Sequence, residues 1–270
     1  MITIDESKCI GCGLCAEDCF TKDIEVIEQK AKSKRIRCIE CGHCIAVCPK
    51  NAIILENYPM SEVLEYEKGG LELDENQYLR ALKFRRTIRQ FSKKQVEIQK
   101  IEKIIEAGRY SPTGGNQQNV SYCVVRDDID PLRNMAIDEL NKIANLSDEE
   151  KEKLNISWYG DLWKQMYLDY HDQNRKDGLF FDAGTVILVL SESVHSACIA
   201  AAHMETMVYA QGLGMLYSGF FTRAVARSKE MKEYLMLSPG QEVVACLVIG
   251  YPSIKYQRTV PRKEARIVWR

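Results

Sequence analysis

Residues 9–19, CIGCGLCAEDC, and residues 38–49, CIECGHCIAVCP, repeat one pattern of cysteines. Each copy has the spacing Cys-x2-Cys-x2-Cys-x3-Cys, and the two copies contain eight of the eleven cysteines in a chain of 270 residues. Thiolates at this spacing are typical ligands of 4Fe-4S clusters, because the short intervals let one tight loop direct three sulfurs at the same cube. The sequence therefore predicts two 4Fe-4S clusters near its start.

The fourth cysteine of each copy is expected to cross over to the other cluster. In bacterial-type ferredoxin runs, the last thiolate of one motif ligates the cluster of the other motif. We therefore expect two sets of four ligands. The first set is Cys9, Cys12, Cys15 and Cys48, and the second is Cys19, Cys38, Cys41 and Cys44.

Two other uses of paired cysteines remain open at this point. Structural zinc sites take four ligands in Cys-x2–4-Cys pairs, which would leave the third and fourth cysteine of each copy without a role. Disulfides require an oxidising compartment. The chain opens MITIDE, with neither a basic nor an apolar targeting region. This opening favours a reduced, cytoplasmic protein.

Composition limits the partners of the protein. Its formal net charge is −1 with Lys and Arg spread along the chain, so we expect no nucleic-acid partner. No apolar run approaches the roughly 18 residues of a membrane span, so we expect no membrane partner. A chain of this length suits two domains. The composition predicts a cluster-binding domain at 1–56, a linker at 57–75 and a second domain at 76–270.

The second domain is predicted to mix helices and strands. Helical patterns cover residues 74–86, 96–109, 134–143, 148–170, 195–211 and 229–237, and strand patterns cover 122–125, 186–190 and 243–249. In the first domain, short strands are expected at 2–4, 24–27 and 53–55. Helices outside a central sheet indicate an α+β or α/β class.

Two polar segments of the second domain are candidates for a binding site. The first is RRTIRQF at residues 85–91, whose guanidinium groups and hydroxyl suit a phosphate monoester. A solvated basic face is the other interpretation of this segment. The second is SPTGGNQQ at residues 111–118, a glycine-rich loop whose amides can donate and accept hydrogen bonds.

Together these segments resemble the FMN-dependent nitroreductase family. The resemblance continues in a long helix that ends at GLG, residues 212–214, in YSG at 217–219 and in the later PRK at 261–263. Residue 119 is Asn where the family usually has Pro. The resemblance implies a nitroreductase-like FMN-binding α/β domain after a ferredoxin-like 2x4Fe-4S domain, and α+β as the class of the whole chain.

By resemblance, the FMN phosphate would be held from both ends of the second domain, with Arg258 a less certain addition. Asn116 would bond the pyrimidine edge of the flavin, and backbone N–H groups at Ser218 and Gly219 would approach N5 and O4. No side chain stands out as a general acid, so chemistry would take place at flavin N5. The residues expected to bind the cofactor are Arg85, Arg86, Thr87, Arg89, Asn116, Gln118, Ser218, Gly219 and Arg262.

Residues 138–178 form an insert that is dense in aromatic side chains. Most of them are expected to pack between helices, and the alternative is a lid over the flavin that favours flat substrates. The members of this group are Trp158, Tyr159, Trp163, Tyr167 and Tyr170.

These features predict an oxidoreductase that passes electrons through two clusters to FMN and on to a small organic acceptor such as a nitroaromatic, a quinone or an activated alkene. The donor would be a one-electron protein, ferredoxin or flavodoxin, or NAD(P)H acting directly on the flavin, since no GxGxxG motif follows a strand. The resemblance also implies a homodimer. Two alternatives are a non-catalytic electron-transfer module and reductive dehalogenation on the same fold.

Overall fold

The computed structural model describes residues 2–67, 70, 72–173 and 175–270. The chain divides into two compact units. The first consists of Met1–Leu73 with Gly114–Gln117, and the second of Asp74–Thr113 with Gln118–Arg270. The predicted linker 57–75 contains a 3-10 turn, Met60–Glu62, and its residues 68, 69 and 71 lie outside the described residues.

The first unit is built from two short hairpin-like sheets and two single-turn helices. Strand β1 pairs antiparallel with β4, and β2 pairs antiparallel with β3. The elements in chain order are β1 (Ile2–Ile4), α1 (Leu14–Asp18), β2 (Ile24–Ile27), β3 (Lys30–Ser33), α2 (His43–Ala46) and β4 (Ile53–Leu55). The three strands predicted in this unit are present, and β3 was not predicted.

Each short helix of the first unit begins directly after a glycine in the left-handed region. Gly13 has φ 82° and precedes α1, and Gly42 has φ 75° and precedes α2. Glycine adopts this conformation without the steric cost that a Cβ imposes. The chain therefore turns abruptly between the second and third cysteines of each copy, which buries Cys15 and Cys44 in the core of the unit.

The second unit contains eight of the helices and the larger sheet of the described residues. The helices are α3 (Glu75–Phe84), α4 (Ile98–Arg109), α5 (Asp130–Ala144), α6 (Asp148–Lys153), α7 (Gly160–His171), α8 (Val194–Ala210), α9 (Gly219–Arg227) and α10 (Lys229–Tyr234). The strands are β5 (Ser121–Val125), β6 (Thr185–Ser191), β7 (Gly214–Tyr217) and β8 (Glu242–Gly250). No described helix is both long and apolar enough to cross a bilayer.

The sheet of the second unit has the order β5-β6-β8-β7, with every pair of strands antiparallel. Strand β6 is buried along its whole length, and its side chains alternate between two cores. Val186 and Leu188 belong to the core that contains α5, α7 and α9, whereas Ile187 and Val189 face α4 and α8. A sheet covered by helices on both faces confirms the predicted mixture of helix and sheet.

The aromatic insert departs from the single helix predicted for 148–170. Helix α6 ends at Lys153, and Asn155 follows with φ 51°, a left-handed conformation that stops a helix. A 3-10 turn, Ser157–Tyr159, then leads into α7. Trp163 and Tyr170 are buried in the core, which agrees with packing between helices, and Trp158 is exposed.

Candidate cofactor sites

The first unit contains a cavity bounded by two loops of different cysteine copies. Its cysteines are Cys9, Cys12, Cys15 and Cys48. The Sγ of Cys9 accepts a hydrogen bond from the N–H of Ala31 at 3.3 Å, and the Sγ of Cys48 accepts one from the N–H of Ala52 at 3.4 Å. Such N–H donors stabilise negative charge on cluster sulfurs and raise the reduction potential.

A second cavity repeats this arrangement with the other four cysteines, Cys19, Cys38, Cys41 and Cys44. The Sγ of Cys19 accepts from the N–H of Asp23 at 3.3 Å, and the Sγ of Cys38 accepts from the N–H of Glu40 at 3.4 Å. The structure thus brings together the two crossed sets named from the sequence.

The chemistry of both cavities fits a 4Fe-4S cluster. Each offers one thiol for each iron of a cube, and all eleven cysteines of the chain are free thiols. Burial raises the pKa of the Cys44 thiol to about 11. A buried thiol of this kind is deprotonated when it binds metal, since the positive charge of the ion favours the thiolate.

A buried carboxylate organises the loop that leads into Cys38. Asp23 Oδ1 accepts the N–H groups of Ile36 and Arg37, each at 2.8 Å, and Oδ2 accepts the N–H of Arg35 at 3.2 Å. Burial opposes the charged carboxylate, and the hydrogen bonds from Arg37 and Ile36 outweigh it, so the pKa of Asp23 lies below its usual value. Nothing in the residue pattern marks an isolated Asp as a loop anchor, so Asp23 was not predicted.

In the second unit, the segment Arg85–Phe91 lies between β7 and the C-terminal part of the chain. Thr87 forms a parallel bridge with Met215, and the N–H of Ile88 donates to the carbonyl of Met215 at 2.9 Å. On the other side, the N–H of Ser253 donates to the carbonyl of Gln90 at 3.0 Å. The backbone therefore holds the predicted phosphate segment in a fixed register.

Two glycines permit this close approach. A Cβ on Gly214 would stand 2.4 Å from Cγ1 of Ile88, and a Cβ on Gly250 would stand 2.8 Å from Cδ1 of Phe91. Any larger residue at either position would push the segment away from the sheet. The glycines of β7 and β8 thus decide where the segment lies.

The three guanidinium groups of the segment have different surroundings. Arg85 forms an ion pair with Glu205 of α8 at 3.0 Å, and burial raises the pKa of Glu205. Arg86 donates to the carbonyls of Lys83 and Arg85 at the end of α3. Arg89 is exposed. Glu205, a carboxylate beside a predicted phosphate ligand, was not found from the sequence.

One atom of this segment has an unmet hydrogen bond. The Nε of Arg86 is buried and has no partner among the described residues. A buried guanidinium nitrogen left without an acceptor costs free energy. A phosphate group bound at this segment would supply acceptors of the right charge, so the donor set fits the phosphate of FMN.

The C-terminal part of the chain reaches the same segment through Tyr256. Its hydroxyl donates to the carbonyl of Thr87 at 3.5 Å. Arg262 lies farther along the same exposed stretch, where its guanidinium lies 3.5 Å from the carbonyl of Pro261. The expected role of Arg262 at the phosphate stays a prediction.

The turn at Ser218 and Gly219 begins helix α9. Ser218 is buried, its N–H donates to the carbonyl of Cys246 at 2.9 Å, and its Oγ accepts the N–H of Phe221 at 3.4 Å. The N–H of Ser218 is therefore used within the protein. The N–H groups of Gly219 and Phe220 are the first two of the helix, where the chain has no intrahelical acceptor and the dipole favours negative charge.

The glycine-rich loop is divided between the units. Asn116 belongs to the first unit, where its amide donates to the carbonyls of Ile39 at 3.1 Å and Glu40 at 3.0 Å. The N–H of Gln118 donates to Oγ1 of Thr113 at 2.9 Å. The amide of Asn116 is thus bonded to the loop between Cys38 and Cys41, and its expected contact with a flavin stays a prediction.

Comparison with known proteins identifies both units. Residues 82–251 match the family model described as Nitroreductase family, and residues 1–49 match the model described as 4Fe-4S dicluster domain. The second match confirms the predicted clusters in preference to zinc or disulfides. Together the matches confirm the predicted order of the two domains.

Relatives of known name cover parts of the chain. A component of the ion-translocating oxidoreductase complex of Methanosarcina acetivorans is 42% identical over 50 residues, 18% of this chain and 19% of that protein. The iodotyrosine dehalogenase 1 homolog of Caenorhabditis elegans is 23% identical over 186 residues, 64% of this chain and 54% of that protein. The chain thus spans about a fifth of the first relative and about half of the second.

Solved structures share the fold of the second unit. A nitroreductase with bound FMN from Bacteroides fragilis has a TM-score of 0.56 at 18% identity, and one from Desulfitobacterium hafniense has 0.55 at 19%. Each alignment covers 72% of this chain and 100% of the other. At this level of identity the likeness concerns the fold.

Proposed function

This chain belongs to the nitroreductase family, and from that premise we propose that it is an oxidoreductase in which two 4Fe-4S clusters supply electrons to FMN for the reduction of a small organic acceptor. The acceptor would be flat and electron-poor, such as a nitroaromatic, a quinone or an activated alkene. One observation carries the proposal: a 4Fe-4S dicluster domain at 1–49 and a nitroreductase domain at 82–251 occupy a single chain.

The cofactors and the chain would divide the work. When bound, the clusters carry single electrons, and FMN combines two of them for the acceptor. The chain contributes binding and electrostatics. Arg85, Arg86, Thr87 and Arg89 would hold the phosphate, with Arg262 joining them from the C-terminal stretch. The N–H groups at the start of α9 would stabilise negative charge on the flavin ring.

Fusion of the cluster domain to the nitroreductase domain suggests what the clusters contribute. Two modules on one chain meet at a high effective concentration. Electron transfer from the clusters to the flavin therefore requires no encounter between two separate proteins in solution. The fusion suits a low-potential one-electron donor, ferredoxin or flavodoxin, which cannot deliver a hydride. NAD(P)H could reduce the flavin directly and would not require the clusters.

The test compares two cysteine variants. Cys41→Ser removes a predicted cluster ligand, and Cys123→Ser removes a half-buried thiol of β5, outside both cysteine cavities and outside α8, as a matched control. Anaerobic reduction of a quinone or nitroaromatic is measured with reduced ferredoxin and with NADPH. We expect Cys41→Ser to abolish turnover driven by ferredoxin, to retain FMN and to keep any NADPH-driven rate. Equal ferredoxin-driven rates in both variants would show that the clusters do not carry electrons from ferredoxin to FMN.

Reductive dehalogenation is a second candidate, favoured by the match to the iodotyrosine dehalogenase 1 homolog over 186 residues. The same electron supply would serve the loss of a halide from an aromatic ring. Anaerobic turnover with a halogenated phenol and with a nitroaromatic, followed by halide and amine analysis, separates the two. Halide release without nitro reduction would establish dehalogenation in place of the first candidate.

We also infer a homodimer that forms through α8 and resides in the reducing cytoplasm. Helix α8 exposes apolar side chains, including Val194, Ile199 and Tyr209, on a segment that is otherwise buried in the second core. Sedimentation at several concentrations tests the dimer. An Ile199→Asp variant should shift the protein toward the monomer, because a charge in an apolar interface is unpaired.

A further inference from the structure

The surface next to the second cysteine cavity has a strong local charge. Residues 30–37 read KAKSKRIR, with five cationic side chains and no acidic one. We define the basic strip as the exposed members of this run, Lys32, Lys34, Arg35 and Arg37. The strip ends one residue before Cys38, so it borders the cavity of the second ligand set. Charge concentrated beside a redox site steers the approach of a partner of opposite charge.

The remaining cation of the run has a structural role at the other cavity. The Nζ of Lys30 donates to the carbonyl of Glu6 at 2.7 Å and to the carbonyl of Cys9 at 2.6 Å. Lys30 is therefore committed to the loop of the first ligand set. That loop, DESKCIGCGL at residues 5–14, contains two acids and one lysine, so it lacks the uninterrupted positive charge of residues 30–37.

The backbone of the basic strip is held in place by a buried carboxylate. The buried carboxylate of Asp23 accepts the backbone N–H groups of Arg35, Ile36 and Arg37, and the side chains of these three residues are exposed. Among the described residues, neither Arg35 nor Arg37 has an ion pair. Lys34 pairs loosely with Glu25 at 3.5 Å on the exposed surface. The charges of the strip are thus presented on a backbone that is already ordered.

Two apolar side chains accompany these charges. Phe20 is 87% exposed directly after Cys19, and Ile36 is 76% exposed two residues before Cys38. Both flank ligands of the same cavity. Exposed apolar side chains that are rimmed by charged residues are typical of a protein interface. The acids on this side include Glu25, which pairs with Lys34 at 3.5 Å, and Asp18, which lies 3.1 Å from His43.

We propose that the basic strip, together with Phe20 and Ile36, is the docking surface for an acidic one-electron carrier protein that reduces the cluster of Cys19, Cys38, Cys41 and Cys44. The inference rests on the proposed function and names the partner of the same electron path. In each encounter the carrier is oxidised by one electron and the cluster is reduced by one, with no bond formed or broken. Charge complementarity favours an acidic partner. The exposed apolar side chains of Phe20 and Ile36 favour a protein surface over a free anion.

The experiment uses two double charge reversals of equal size in the full chain with its cofactors. Arg35→Glu/Arg37→Glu alters the strip, and Lys8→Glu/Lys50→Glu alters exposed lysines beside the first ligand set as the matched control. The probe is an acidic bacterial 2x4Fe-4S ferredoxin. Its oxidised form is titrated by calorimetry at low and high salt, and its reduced form is mixed with each variant by stopped flow. Iron content and the visible spectrum confirm that both clusters are intact.

We expect the strip variant to bind ferredoxin at least about tenfold more weakly at low salt and to lose most of the salt dependence of binding. The control variant should stay within about twofold of the wild type. A further variant, Phe20→Ser/Ile36→Ser, should weaken binding without changing the salt dependence. Equal affinities and equal reduction rates in the strip and control variants would overturn the proposal, as would strip-dependent binding to anionic vesicles that equals binding to ferredoxin.

The same measurements separate this inference from the proposed function. If ferredoxin binds at the strip and reduces the clusters while the acceptor is not reduced, docking stands and the proposed function fails. If acceptor turnover depends on Cys41 but is equal in the strip and control variants, the proposed function stands and docking fails.

Discussion

The cluster region and the flavin region of this protein are assembled in opposite ways. All eight cluster cysteines lie between Cys9 and Cys48, in two loops that differ little in local conformation. The flavin region joins Arg85–Phe91, the turn at Ser218 and the stretch around Tyr256. These segments lie far apart in the chain, and pairing with β7 and β8 together with direct hydrogen bonds brings them together. A site built from local loops is visible in residue spacing, and a site built across a sheet is not.

The difference predicts how each region responds to change. Replacement of a cysteine removes one of the four ligands of a cluster. We therefore expect the cluster of that cavity to be lost completely and the cluster of the other cavity to be retained. Substitutions in the flavin region should lower the affinity for FMN in graded steps, because many weaker contacts together hold the cofactor.

The largest expected effect comes from Cys19→Ser. Because Cys19 lines the cavity of Cys38, Cys41 and Cys44, we expect loss of that cluster and retention of the other. Cys48→Ser is the mirror control and should remove the cluster of the other cavity. Iron analysis and electron paramagnetic resonance of the reduced variants identify which cluster remains. Loss of the cluster of Cys9, Cys12 and Cys15 in the Cys19 variant would show that the ligands do not cross.

The next effect in size concerns the phosphate segment. Replacing Arg85 by Ala should weaken FMN binding by about 1.5 to 3 kcal/mol, or roughly ten- to more than a hundredfold, the value of a charge-assisted hydrogen bond. Arg89→Ala tests the exposed member of the same group. FMN retention on gel filtration and the dissociation constant by fluorescence measure the loss. Unchanged affinity in the Arg85 variant would remove that residue from the phosphate site.

A smaller effect is expected from Gly214→Ala. The new Cβ meets Ile88 at a distance that side chains do not tolerate, so the segment must shift. Overpacking of this kind costs about 1 to 3 kcal/mol of the free energy of unfolding. Gly184→Ala is the control, since its Cβ would stand 3.5 Å from the side chain of Gln95. The midpoint temperature of thermal unfolding and the affinity for FMN should both fall in the Gly214 variant. Both should stay near the wild-type values in the Gly184 variant.

The smallest effect, and one of opposite sign, is expected from Glu205→Gln. Glu205 pairs with Arg85 and would compete with the phosphate for its guanidinium. A partly exposed pair is worth about 0.2 to 1 kcal/mol, so FMN affinity should rise by up to roughly fivefold. Fluorescence titration measures the change. A weaker affinity would mean that Glu205 positions Arg85 for the phosphate.

Much of the secondary structure could be predicted from residue patterns. A strand at 186–190 was expected because its run rich in β-branched residues indicates a buried strand, and a second strand was expected at 243–249. Both are present within longer strands. Strand β7 and helix α9 were missed. Strand β7 has four residues and starts at Gly214, and neither the length nor the glycine signals a strand. Its place in the sheet comes from pairing with β8.

The candidate flavin residues show the same limit. Motifs identified Arg85, Thr87 and Ser218, but they did not reveal that Arg85 pairs with Glu205 or that the N–H of Ser218 is used by Cys246. Each of these partners lies on a different element, far along the chain. No local pattern records such contacts.

By itself, the sequence determined the two clusters and their order before a nitroreductase domain, because thiolate spacing and short motifs are local properties of the chain. Only the tertiary structure decided how Asp23 orders the backbone of the basic strip and where Arg85 finds its partner. Those arrangements depend on strand pairing, on glycines that allow close approach and on burial of a carboxylate. All three arise when distant segments meet, and the order of residues alone does not specify that meeting.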